Sequence, residues 1–134
     1  MQDRGRLTIP VEVRRRISWL APLPHHVLAS IDPEGGVEIL PWEKLGEGLI
    51  QNEMERLNAL DEPAKGTLAV ALADKYFRLS LEEPARIGLT AGLRSFLGAH
   101  GDQPVRLVCL HQQLWLWNEK FWQRGRGERE ALIA

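Results

Sequence analysis

Cysteine, histidine and long apolar runs are scarce in this chain, and each scarcity removes a class of protein. A single cysteine, Cys109, among 134 residues cannot close an intrachain disulfide, which suits a reducing compartment. It lies in the apolar run Val105 to Leu110 and reads as a small core residue. The histidines His25, His26, His100 and His111 have no carboxylate or cysteine at a ligand spacing, so no metal site is expected. No stretch approaches the roughly 20 apolar residues of a membrane helix. The charged start, Met1 to Arg6, has no apolar segment behind it, so no secretory signal is expected. There is no glycine-rich phosphate loop, and Gly35-Gly36 reads as a turn. Glu82 and Glu83 are adjacent in a predicted strand and point to opposite faces, so they cannot share a reacting atom. The reading is of a protein that is not an enzyme, with no cofactor and no small-molecule substrate.

Charge of one sign is also lacking overall: the net charge is −1. Its distribution is uneven, with Arg4, Arg6, Arg14, Arg15 and Arg16 crowding the first segment against Asp3 and Glu12. The middle segment is acidic. The total neither supports nor excludes a nucleic-acid partner, because the direction of the field matters more than its sum.

What the chain does contain is a repeat. Gly5 to Ile17 aligns without a gap on Ala85 to Leu97: Arg6 falls on Arg86, Leu7 on Ile87, Ile9 on Leu89, Val13 on Leu93 and Arg14 on Arg94. Further on, Val27-Leu28-Ala29 aligns with Leu107-Val108-Cys109, and Val37 to Leu40 with Leu114 to Trp117. Each copy has the same local plan. A short alternating strand (Arg6 to Ile9) runs into a brief helix started by Pro10 in one copy and capped by Thr90 in the other. Hairpins follow: Val27 to Ile31 with Gly36 to Leu40, and Val105 to Leu110 with Leu114 to Trp117. Helix-like stretches close both copies. Between them, Leu45, Leu49, Ile50, Met54 and Leu57 mark one connecting helix, and Pro63 starts a second running to about Ala73.

The alternating stretch Tyr76 to Leu81 has no counterpart ahead of the first copy, since the sequence begins at Met1. A barrel of two equivalent halves would then lack one edge strand. Either the start lies upstream, or the first half is reduced.

A strand ending in Asp-x-x-Gly-Arg, then apolar-x-apolar-Pro and a short helix with Leu-Arg, resembles the SpoVT/AbrB swapped-hairpin family. Two copies, each closing in a hairpin and a short tryptophan-containing helix, resemble the MraZ family. The motif arginine is Arg6 or Arg86. Its aspartate is Gln2 in the first copy and Glu82 in the second, and its glycine is Gly5 or Ala85. The resemblance implies an α+β fold: a duplicated swapped-hairpin β-barrel with intervening and C-terminal helices. Residues 1–45 form the first half without its N-terminal strand, 46–74 the helical connector, 75–123 the second half and 124–134 a flexible tail. It implies a cytoplasmic, nucleoid-associated transcriptional regulator. Such a protein binds repeated promoter sites on double-stranded DNA as a homo-oligomer, with no membrane partner, and represses a division and cell-wall gene cluster.

Arg4, Arg6, Arg14, Arg15, Arg16, Arg86 and Arg94 are the candidate DNA-binding residues. Taken by themselves they fit a DNA-facing patch and a solvated helix face equally well, and the resemblance favours DNA. Glu82 is expected to pair with Arg86. Trp115, Trp117, Phe121 and Trp122 are read as core or subunit interface in preference to base stacking. Two other functions stay open: a ring-forming scaffold that has lost DNA affinity, and an antitoxin-type AbrB regulator, for which the C-terminal tail is short.

Overall fold

The computed structural model describes residues 6–20, 26–83, 85–98 and 105–133. The first copy contains β1 (Arg6–Thr8), α1 (Val11–Arg16), a 3-10 turn (Ser18–Leu20), β2 (His26–Ile31) and β3 (Gly36–Pro41). A π turn (Trp42–Gly46) leads into the helices α2 (Glu47–Asn58) and α3 (Ala64–Lys75). The second copy contains β4 (Tyr76–Glu82), β5 (Arg86–Gly88), α4 (Ala91–Phe96), β6 (Val105–Leu110) and β7 (Gln113–Asn118). Two helices end the chain: α5 (Glu119–Arg124) and α6 (Arg126–Ile133).

The strands alternate apolar and polar residues because one face is buried. They join into a single curled antiparallel sheet of seven strands, a half-barrel in the order β1-β5-β4-β2-β3-β7-β6. Its concave face carries the core: Leu7, Val27, Ala29, Val37, Ile39, Leu79, Leu81, Ile87, Leu114 and Leu116 are all buried. Ile17 from the end of α1, and Leu93 and Leu97 from α4 and its end, complete the core.

The register sets some of the residues aligned in the sequence opposite each other. Leu7 pairs with Ile87, flanked by Arg6 with Gly88 and Thr8 with Arg86. Glu38 pairs with Trp115, flanked by Val37 with Leu116 and Ile39 with Leu114. In both places a residue lies opposite the one aligned with it in the sequence. Each of these antiparallel pairs has a local twofold axis between its two strands. The hairpins differ in detail from the alignment. Val27 pairs with Pro41, and the residue pairing with Asn118 is Val105, so Val105 and not Leu107 corresponds to Val27. A slip of two residues keeps every side chain on its own face, so the alternation could not detect it.

Local chemistry sets the turns. Thr90 Oγ1 accepts from the Leu93 N–H at 3.2 Å, the N-cap expected of it. Gly98, after the last leucine of that turn, has φ +66, as a helix stop requires. The first hairpin closes through Asp32, whose Oδ1 accepts from the Glu34 N–H at 3.0 Å, with Gly35 at φ +113. The first half was expected to end at residue 45, but the π turn runs straight on into α2, so that boundary falls inside a continuous helical run. Within residues 124–134, expected to be a flexible tail, residues Arg126–Ile133 form the helix α6. Arg129 holds this helix down: its guanidinium lies 3.9 Å from the centre of the Trp122 ring and donates to the Trp122 carbonyl.

Candidate nucleic-acid interface

Alternation along β1 and β5 decides where their arginines go. Leu7 and Ile87 are buried, so Arg6, Thr8, Arg86 and Gly88 share the opposite, outer face of the two-stranded ribbon. Arg6 and Arg86 stand diagonally across the local axis on this face, Arg86 exposed and Arg6 half-exposed. The ribbon is tied to the turn before β5: the Ile9 N–H donates to the Ala85 carbonyl at 2.8 Å.

The carboxylate of Glu82 behaves differently from expectation. It lies 3.5 Å from Arg6, in the other copy, although its backbone partner is Arg86. This ion pair is about half exposed on both sides, so solvent screens it and it holds Arg6 only weakly. Among the described residues no carboxylate lies within ion-pair distance of Arg86.

The helix arginines divide. Arg15 and Arg16 are exposed on the last turn of α1, where their charge also complements the helix dipole. Arg14 and Arg94, aligned in the repeat, are both half-buried with their Nε atoms enclosed. Of the helix arginines expected on either a DNA-facing patch or a solvated face, this pair is therefore partly covered by the fold, as the stems of long basic side chains can be. Arg4 lies outside the described residues.

Each hairpin tip sits against the other copy's short helix. Gln112, in the β6–β7 turn, accepts from the Ser18 N–H at 2.7 Å and donates from Nε2 to the Arg16 carbonyl at 3.2 Å. Its own carbonyl accepts from Trp19 Nε1 at 2.9 Å. On the opposite side, Ile31 and Pro33 of the first hairpin share a cleft of about 440 Å³ with Gly92 and Phe96 of α4. The end of α1, which carries Arg15 and Arg16, is thus anchored by residues of the second copy.

The tryptophans build a different surface. Leu114 and Leu116 fill the core, while Trp115 and Trp117 lie on the convex face of β7. Trp117 packs over Gly36, where a Cβ would come within 2.7 Å of the indole, and edge-on to Trp122 at 5.7 Å. Arg106 lies over Trp122 at 5.5 Å and forms a two-pronged pair with Glu119 at 2.9 and 2.6 Å. That contact holds the Glu119 carboxyl down at about 2 and raises Arg106. Glu38, opposite Trp115, is pushed up by desolvation. This aromatic layer seats α5 on the sheet. The sequence reading missed Arg106, Arg129 and Arg78, the last stacked on Trp42 at 4.4 Å. The strand alternation that puts Arg106 beside Trp117 was the available signal.

Among the described residues no group of three histidine, cysteine or acidic side chains could hold a metal ion. Nor is any helix among them long and apolar enough to cross a membrane. No protein-family model matches the chain, and no curated protein does.

Proposed function

We propose that this chain is a DNA-binding transcriptional regulator acting as a homo-oligomer, built from two SpoVT/AbrB-like swapped-hairpin halves in the manner of the MraZ family. The observation that carries the reading is the β1–β5 ribbon, where a local twofold axis sets Arg6 and Arg86 on one outer face. A two-stranded ribbon bearing paired guanidinium groups suits a phosphate-lined groove. The self-pairing of aligned residues at Leu7–Ile87 and Glu38–Trp115, and the crossing of each hairpin tip to the other copy's helix, support the duplicated swapped-hairpin fold. Arg15 and Arg16 supply further phosphate contacts, and subunits bound side by side multiply them. Repression then follows from occlusion of the promoter, and the protein's place is on the nucleoid.

A scaffold that has lost DNA affinity is the second reading. The Arg6–Glu82 pair and the net charge of −1 favour it. Binding of the full-length protein to DNA upstream of its own gene, titrated with salt, separates the two. A regulator gives a steep loss of affinity with rising salt and tighter binding than to unrelated DNA. Replacing Arg6 and Arg86 together with alanine flattens the slope by roughly one for each phosphate no longer neutralised. Absence of any shift at low salt, or a slope unchanged in the double variant, leaves the scaffold reading.

A further inference from the structure

The first hairpin tip does not meet α4 as the second tip meets α1. Gln112 of the β6–β7 turn bonds directly to Ser18, Arg16 and Trp19, whereas Ile31 and Pro33 face Gly92 and Phe96 across an open cleft of about 440 Å³. The substitutions along the two short helices explain the opening. Gly92 and Phe96 align with Glu12 and Arg16, so a glycine and a phenylalanine stand on α4 where α1 carries two exposed charges. A Cβ at Gly92 would meet nothing nearer than Thr90 Oγ1, at 4.0 Å. The floor is the outer end of the apolar core: Ile31, Phe77 and Phe96 all pack against it, and Ala71 of α3 adds to the wall. Hydrogen bonds fix these walls. Asp32 Oδ1 accepts from the Glu34 N–H in the turn, and the Phe96 carbonyl accepts from Asn118 Nδ2. A preformed apolar cleft with few polar groups is the usual build of a small-molecule site.

Charge at the mouth defines the ligand. Asp74 and Lys75, successive residues of α3, border the cleft. The Lys75 ammonium lies over the Tyr76 ring, 5.2 Å from its centre, and Tyr76 lines a different cleft, between α2 and α3. Asp74 is exposed, and among the described residues no cation lies within ion-pair distance of its carboxylate. From this arrangement we infer that the cleft binds a small aromatic amine, its ring seated on Phe77 and Phe96 and its ammonium group at Asp74. Burial of the ring against the two phenylalanines supplies most of the affinity, and the charge-assisted contact with Asp74 sets the preference for a cation. An aromatic carboxylate of the same shape meets Asp74 as a like charge and is rejected. Neither Arg6 nor Arg86 lines the cleft, so binding of the amine is independent of any contact with DNA.

The test titrates the full chain with tryptamine, beside indole-3-propionate, which carries a carboxylate in place of the ammonium, and ethylamine, which lacks the ring. Calorimetry gives the affinity, and the amide resonances of Ala71, Asp74, Phe77 and Gly92 give the place. Tryptamine is expected to saturate and to shift those four amides, while the other two compounds bind more weakly. Asp74→Asn weakens tryptamine by roughly tenfold, the worth of one charge-assisted contact at an exposed site. Asp74→Lys reverses the order of tryptamine and indole-3-propionate. Gly92→Leu fills the cleft and abolishes binding of either, with the fold confirmed by circular dichroism. Absence of any shift at millimolar tryptamine overturns the proposal, as does equal binding of indole-3-propionate to the unaltered chain. Shifts confined to Ile50, Leu57 and Leu72 also overturn it, since the amine would then occupy the cleft between α2 and α3.

Discussion

Ala85 is a residue whose backbone conformation sets a limit on its side chain. It has φ +122, a region that disfavours any side chain, and it is fully buried while its N–H and carbonyl hold the Glu82 and Ile9 ends of the turn. A β-branched residue there adds strain to overpacking, so Ala85→Val is expected to cost about 2 kcal/mol or more in chemical denaturation. At Glu38 the surroundings, not the backbone, set the limit. Desolvation raises its pKa on folding, so its ionisation opposes the folded state once pH exceeds the ordinary carboxylate range. Glu38→Gln is therefore expected to stabilise the protein at pH 7, with the gain vanishing in acid. A gain that persists at pH 3 would mean that ionisation is not the cause. The sign is opposite at Glu119, held at about 2 against an ordinary 4.5 by Arg106 and Gln123. Its contribution is present above the ordinary value and lost as pH falls towards 2. The pair is solvent-accessible, so the loss is modest, and Glu119→Gln should flatten that stretch of the stability–pH curve.

At the scale of elements, α5 shows how one capping residue can hold a layer in place. Asn118 Oδ1 accepts from the N–H groups of Lys120 and Phe121 at 2.9 and 3.2 Å, and its Nδ2 donates to the Phe96 carbonyl at 3.4 Å. Cap and tether together join α5 to α4, and α5 carries the Trp122 that covers Trp117. Asn118→Ala should cost about 1–2 kcal/mol and red-shift the tryptophan emission as that cover loosens. Unchanged emission at full stability loss would place the effect in the helix cap alone. α3 is the opposite case. Its residues Leu68 to Ala73 are all apolar, yet none of its residues is buried, and Val70 is 73% exposed. A helix that is apolar around most of its circumference seldom stays bare.

Across the whole molecule, that exposed surface bears on assembly. Val70, Leu45 and Met54 lie on the helical arm outside the half-barrel, where burial against another subunit would contribute most. If the chain works as an oligomer through this arm, sedimentation at micromolar concentration will find an assembly, and Met54→Lys with Val70→Lys will shift it to monomer with the secondary structure intact. A wild-type protein that sediments as a monomer contradicts the oligomer. The proposed DNA binding depends on the same question, because a chain with net charge −1 would gain phosphate contacts chiefly by repetition.

Strand alternation, the turn residues, the caps at Thr90 and Gly98 and the aligned arginines were legible in the sequence because each rests on local geometry of the backbone. Two-residue periodicity told which side chains go inward, and the gapless alignment named Leu7 and Ile87, which lie opposite each other. Other features needed the third dimension. The two-residue hairpin slip was invisible to a period of two, and the partner of Glu82 depended on strands far apart in sequence coming together across the axis. The same holds for the enclosure of Arg14 and Arg94, which identical helix positions gave no reason to separate from Arg15 and Arg16. α6 is ordered through the stacking of Arg129 on Trp122, an interaction between neighbouring helices that composition does not register. Local rules assign a residue its face and its turn; which partner meets it there is decided only when the two halves fold against each other.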